Sequence, residues 1–185
     1  MPSPILFTER MILRVPEAQD FDAFAQMAGD ADSMHFIGGQ MGRAAAWRLF
    51  CALVGAWQVV GWSMFSMIDR DTGRWIGRTG PWTPEGWPGN EVGWAVAPEF
   101  AGKGYAYEAA VASMDYAVDI LGWDDVMHTI DPKNLPSIKL AQRLGATNRG
   151  RTQMPPPFED RIVDDWGQSA ESWKERRSTQ HNPKS

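Results

Sequence analysis

The chain has 185 residues, 43% of them hydrophobic and 22% charged, which fits one globular domain with a sizeable core and leaves two full domains cramped. Its formal net charge is −5 and it carries no run of Lys and Arg, so a nucleic-acid partner, whose phosphates call for a basic patch, is not expected unless folding gathers one. The single cysteine, Cys51, excludes an intrachain disulfide, and its apolar neighbours predict a buried small side chain rather than a nucleophile.

Residues 1–4 lack the basic start and apolar stretch of a signal peptide. No run of about 18 apolar residues exists to cross a bilayer. The expectation is a cytoplasmic protein with no membrane partner.

A first strand is predicted over Ile5–Val15, interrupted by the charges of Glu9 and Arg10. Pro16 then opens a helix in which Ala18, Phe21, Phe24, Ala25 and Ala28 share a face, with Gly29 as its stop. Asp30–Gly42 reads as a loop. A second helix carries Ala46, Trp47, Phe50, Val54 and Trp57 at helical spacing and ends at Gly61. Trp62–Ile68 and Trp75–Trp82 read as a hairpin around the turn Asp69–Gly73. A loop rich in Pro, Gly and Trp, Pro84–Asn90, leads to a strand over Glu91–Ala97. The clearest helix is Gly104–Leu121, stopped by Gly122. A strand over Val126–Ile130 and a helix over Ser137–Leu144 follow, the helix having Pro136 near its start and Gly145 just past its end. Two strands, Thr147–Gln153 and Ile162–Trp166, close the sheet. From Ser169 the chain is polar, with a short helix and a frayed tail. The domain is therefore placed at 1–168 and the polar tail at 169–185. The strand–helix–strand unit implies a parallel pair and the hairpins imply antiparallel pairing elsewhere, so the fold class is a mixed α+β sheet.

The segment with the most chemistry is Val96-Ala97-Pro98-Glu99-Phe100-Ala101-Gly102-Lys103-Gly104-Tyr105-Ala106. A strand runs into two glycines and then into the longest helix. Glycine lets the backbone approach a ligand closely, and a helix start presents N–H groups without intrahelical acceptors at its positive end. Pyrophosphate suits such a cradle. The segment is neither a GxGxxG fingerprint nor a P-loop, since no Gly-Lys-Ser/Thr follows.

Two stretches, residues 91–109 and Asn134-Leu135-Pro136-Ser137-Ile138-Lys139-Leu140-Ala141-Gln142-Arg143-Leu144-Gly145-Ala146, resemble the GNAT superfamily of acyl-CoA-dependent N-acyltransferases. The branch resembled contains the ribosomal-protein N-terminal alanine acetyltransferases. The resemblance spans residue 7 to about residue 166. It implies a mostly antiparallel central sheet, with a parallel strand pair splayed at the cofactor site and helices on its flanks. It also implies acetyl-CoA as co-substrate and a primary amine, on a small molecule or a protein N-terminus, as acceptor.

Residue by residue, the resemblance assigns the pyrophosphate to the backbone of Gly102, Lys103, Gly104, Tyr105, Ala106 and Tyr107. It assigns the pantetheine arm to the backbone of Val96, and Asn134 to the pantetheine or to the splayed end of the following strand, against local backbone capping. Glu91 is the expected base, directly or through water, against a solvated or ion-paired Glu at a strand start. Ser137 is the expected donor to the departing thiolate, and lies beside the cofactor, against a simple helix-start serine. The family's Tyr, seven residues after the Asn, is Ala141 here. Ala101 replaces a larger polar or aromatic residue, and Ala146 replaces Phe.

His35, Trp82 and Trp87 are candidates for the acceptor site, the indoles through packing or cation–π attraction. Five of the ten tryptophans (Trp62, Trp75, Trp82, Trp87, Trp94) cluster around the hairpin and central strand, and most of the ten are expected in the core. His35, His128, His181 and Cys51 show no metal-ligand spacing, so no metal is expected. The alternatives are a non-catalytic acyl-CoA sensor or interaction module, motivated by Ala101 and Ala141, and a structural partner protein. A homodimer through the Trp-rich hairpin or the loop Met154–Phe158 fits the last of these.

Overall fold

The computed structural model describes residues 4–181, with side chains through 179. The chain forms two compact units, one of residues 4–82 with 93–113, the other of residues 83–92 with 114–181.

In the first unit the strands lie in the order β1 (Ile5–Phe7), β2 (Met11–Arg14), β3 (Phe65–Asp69), β4 (Trp75–Trp82) and β5 (Glu91–Val96), the last contributing its residues from Gly93 onward. The pairs β1–β2, β2–β3 and β3–β4 are antiparallel. The predicted strand Ile5–Val15 is thus a hairpin. Thr8 turns it, its N–H donating to the Met11 carbonyl at 2.9 Å and its hydroxyl accepting from the Met11 N–H at 3.0 Å, with Glu9 and Arg10 at the tip. On β2, fully buried Met11 and Leu13 alternate with half-buried Ile12 and Arg14, the period of a strand with one face to the core.

Three helices follow in the same unit: α1 (Phe21–Ala28), entered through a 3₁₀ turn at Ala18–Asp20, α2 (Ala31–Met34) and α3 (Arg43–Val59). The residues that α3 buries, Ala46, Phe50, Leu53 and Trp57, recur every three or four positions. Phe50 meets Phe24 of α1 at 5.3 Å between ring centroids, and Phe24 meets Trp75 of β4 at 6.1 Å. Two expectations change here. Cys51 is exposed, because it lies about 100° around the helix from Phe50. The predicted loop Asp30–Gly42 contains α2, since Asp30 accepts the Ser33 N–H at 2.7 Å and caps a helical turn.

In the second unit the order is β5, β6 (Asp125–Ile130), β8 (Val163–Ser169) and β7 (Thr147–Thr152). β5 and β6 are parallel, in register at Glu91 and Met127; β6–β8 and β7–β8 are antiparallel. The predicted mixed α+β class, mostly antiparallel with one parallel pair and flanking helices, is what the chain forms. The long predicted helix is α4 (Tyr105–Asp115) followed by a wider π turn over Tyr116–Ile120, in which the Leu121 N–H reaches the Tyr116 carbonyl at 3.0 Å. α5 (Leu135–Leu144) ends at Gly145, whose φ of 98° is the left-handed stop that glycine permits.

The polar segment after 169 forms α6 (Ala170–His181). Trp173, 3% exposed, anchors it, and its indole N–H donates to Asp115 Oδ1 at 2.9 Å. Trp173→Ala is expected to cost about 3 kcal/mol of stability, read from a urea midpoint. An unchanged midpoint contradicts that docking.

The tryptophans also depart from expectation. Of the five around the hairpin and central strand, only Trp75 is buried; Trp62, Trp82, Trp87 and Trp94 are half-exposed. The other buried indoles are Trp57, Trp123, Trp166 and Trp173, which pack under helices or within strands.

Candidate functional site

The cradle begins where β5 stops. After Val96 a 3₁₀ turn over Pro98–Phe100 buries Phe100, and the guanidinium of Arg74 lies 4.8 Å from its ring centroid. The chain then lies exposed from Ala101 to Gly104 and enters α4 at Tyr105. Gly102 and Gly104 have φ of 74° and 85°, a region that costs an L-residue roughly 1–2 kcal/mol. A Cβ on Gly102 would meet nothing within 4 Å, so the backbone twist, not crowding, demands glycine there. Glu108 N–H is bonded to the Gly104 carbonyl at 3.2 Å, the first helical bond of α4. The N–H groups ahead of it start a helix and have no acceptor within it, and the helix dipole adds positive potential. Residues 102–107 therefore form an exposed glycine turn that leads into the positive end of α4.

In the second unit Glu91 is 7% exposed. Its Oε1 accepts the Thr129 N–H at 3.0 Å and the Thr129 hydroxyl at 2.9 Å, and its Oε2 accepts the Trp87 indole N–H at 2.5 Å. The solvated alternative for Glu91 is thus replaced by a hydrogen-bonded, buried carboxylate. Its geometry also explains how β5 and β6 part. The ladder runs through the Met127 N–H to the Asn90 carbonyl at 2.9 Å. One step later side chains take over: Glu91 binds the Thr129 N–H, and His128 Nδ1 binds the Val92 carbonyl at 2.7 Å.

His128 is fully buried, and burial pushes its pKa down to about 4 from an ordinary 6.5, with Arg149 adding to the fall. It is neutral in the folded chain, with Nδ1 carrying the proton toward the Val92 carbonyl. Between pH 6.5 and 4 the unfolded chain binds a proton here that the folded chain does not. Stability from this group is complete above pH 6.5 and falls by about 3 kcal/mol as pH drops to 4. His128→Gln should flatten that part of the urea-midpoint profile. A profile identical to that of the parent contradicts the assignment.

Asn134 is the N-cap of α5, its Oδ1 accepting the Ser137 N–H at 3.3 Å. Ser137 is half-buried in the first turn. Ala141, seven residues after Asn134, is fully buried, so that position packs α5.

A family model described as an acetyltransferase (GNAT) domain matches residues 10–147. The chain belongs to the GNAT acetyltransferases. An uncharacterized N-acetyltransferase, YnaD of Bacillus subtilis (strain 168), is 27% identical over 143 residues, covering 77% of this chain and 82% of that protein. Among solved structures, an acetyltransferase from Agrobacterium tumefaciens str. C58 is 28% identical with a TM-score of 0.81, covering 91% of this chain and 95% of that one. The ribosomal-protein-S5-alanine acetyltransferase of Vibrio fischeri, 16% identical, shares the fold at a TM-score of 0.71 over 92% of this chain and 98% of its own.

In this GNAT chain the structure joins Trp87 to Glu91 and lines Val96 and Gly102 to Tyr107 along one continuous segment. His35 is exposed at the end of α2, edge-on to Phe36 at 4.5 Å between ring centroids. Trp82 is half-buried at the end of β4. Thr129 and His128 escaped the sequence reading. Neither lies in a motif, and their partners are 38 and 36 residues away. Among the described residues no three His, Cys, Asp or Glu side chains group as metal ligands, and no helix is long and apolar enough to cross a membrane. The His181 side chain lies outside the described residues.

Proposed function

We propose that the chain transfers an acetyl group from acetyl-CoA to a primary amine, on a small molecule or a protein N-terminus, by direct attack in a ternary complex. The observation that carries this is the exposed Gly102–Gly104 turn feeding the start of α4. Its positive-φ glycines and the positive end of the helix dipole suit a pyrophosphate.

When bound, acetyl-CoA supplies an activated acetyl thioester. The rest belongs to the chain. The backbone of residues 102–107 holds the pyrophosphate, the Val96 peptide pairs with the pantetheine arm, and the Asn134 amide donates to it. The acceptor must shed a proton, since a free alkylamine has a pKa of about 10. Glu91 takes that proton, directly or through a water, as the acceptor's ammonium replaces the Trp87 indole at Oε2. The amine nitrogen then bonds to the acetyl carbon, the carbon–sulfur bond breaks, and the nitrogen's surplus proton passes to the leaving sulfur. Ser137 donates to the leaving sulfur, which needs little help because a simple thiol has a pKa of about 8.5. Trp82, Trp87 and His35 border the acceptor.

Other parts of the proposal rest on the sequence. They are one acyltransferase domain over 1–168 with the polar segment after it, a cytoplasmic setting, a homodimer, no metal, and no nucleic-acid or membrane partner. The net charge of −5 supports the exclusion of nucleic acid.

The test is calorimetry with acetyl-CoA. Saturable binding is expected, and no heat at millimolar cofactor contradicts the proposal. The second reading, a sensor that binds acyl-CoA without turnover, is favoured by the buried Ala141, since no phenol serves the thiolate there.

A further inference from the structure

We infer that Arg10 is the positioning residue of the pyrophosphate cradle, holding the Lys103–Gly104 peptide from behind. The inference rests on the cofactor reading above.

Arg10 sits at the tip of the β1–β2 hairpin, yet its contacts are nearly a hundred residues away. Its backbone N–H donates to Glu108 Oε1 at 2.8 Å and its Nε to Glu108 Oε2 at 2.7 Å. Its Nη1 donates to the Lys103 carbonyl at 2.9 Å. The guanidinium carbon lies 4.3 Å from the centroid of the Tyr105 ring, and the Tyr105 hydroxyl reaches Asp69 Oδ2 at 3.3 Å. One side chain thus grips the loop, the first residue of α4 and the end of its first turn.

The hydrogen bond to the Lys103 carbonyl has a directional consequence. In a planar trans peptide the carbonyl and the following N–H point in opposite directions. With the carbonyl turned to Arg10, the Gly104 N–H faces the other way. A Cβ on Gly104 would lie 3.4 Å from Arg10 Nη2, so the guanidinium backs this peptide closely. The Lys103 ammonium donates to the Glu99 carbonyl at 2.7 Å.

Electrostatics agree with a positioning role. Glu108, in the first turn of α4, would by its charge repel a bound phosphate. Its hydrogen bonds from Thr8 and Arg10 outweigh burial and hold its pKa below the ordinary carboxylate value, while the Glu108 hydrogen bond raises the Arg10 pKa. The pair is a neutralised bracket rather than two separate charges. A lysine cannot replace it, because one ammonium lacks the planar fork that reaches Glu108 and Lys103 together.

The experiment compares the parent chain with Arg10→Ala and Arg10→Lys, using CoA as the probe. Affinity is measured by calorimetry, and the Gly104 amide is followed in ¹H–¹⁵N spectra of the full-length protein. The parent should show saturable binding with a downfield shift of the Gly104 N–H. Arg10→Ala should weaken CoA at least tenfold and lose most of that shift, with Arg10→Lys between the two. If Arg10→Ala does not fold, Arg10→Lys carries the same comparison. A variant that folds with parental affinity and a parental Gly104 shift overturns the inference. So does weakened affinity with the Gly104 shift intact, which marks a merely structural role. If the parent chain itself binds no CoA, the cofactor reading fails first, and the positioning role falls with it.

Discussion

Gly104→Val is expected to weaken CoA binding by about a hundredfold while leaving the chain folded. Gly104 has a φ of 85°, and a β-branched side chain in that region is a severe outlier, so the peptide must rotate. Rotation takes the Gly104 N–H out of the cradle and disturbs its neighbour. A hydrogen bond to a charged group contributes about 1.5–3 kcal/mol, so losing one or two amounts to about 3 kcal/mol, or a factor of about a hundred. Gly150→Val is the matched control. Its glycine also has positive φ, 101°, on the exposed strand β7, and it should lower stability without touching CoA affinity. Calorimetry on both variants checks this. Equal affinity for Gly104→Val and the parent chain would remove the loop from the binding site.

Glu91→Gln should lower turnover by about a hundredfold and change CoA affinity by less than about threefold. The amide keeps an oxygen for the Thr129 N–H, so the separation of β5 and β6 survives. What it loses is basicity, and its NH₂ now opposes the Trp87 indole N–H, which bonds Oε2 in the parent. Thr129→Val separates proton transfer from positioning. It deletes the hydroxyl that donates to Oε1 at 2.9 Å but leaves the carboxylate and the backbone bond. If Glu91 is the base, Thr129→Val retains most of the turnover. If both variants lose turnover alike, Glu91 acts only by setting the strands. Unchanged turnover in Glu91→Gln clears it of both roles.

Legibility in the sequence followed the range of each interaction. Local periodicity placed α3 and α5, and a glycine just past each periodic run placed their ends closely. The glycine turn at 102–104 was legible for the same reason: strand, turn and helix start are contiguous. Glu9 and Arg10 were read as an interruption in one strand, because hairpin formation is decided by Thr8 bonding to Met11 and by pairing with β3, which periodicity does not encode. Cys51 was misread because apolar neighbours in sequence lie on different faces of a helix. Most tryptophans were assigned to the core by size, yet Trp62, Trp82, Trp87 and Trp94 stay half-exposed. Glu91 was singled out, but Thr129 and His128, which give it and its strand their geometry, are joined to β5 only through the parallel crossover. The contacts of Arg10 were not legible, since its partners Lys103 and Glu108 lie 93 and 98 residues on.

The central claim is acetyl transfer to an amine, and the most direct measurement is thiol release from acetyl-CoA across a panel of primary amines and N-terminal peptides. At least one acceptor should raise release well above the amine-free rate, with the acetyl group recovered on its nitrogen, and Glu91→Gln should suppress that rise. CoA that binds saturably while no acceptor raises thiol release would contradict the claim and leave the chain a sensor.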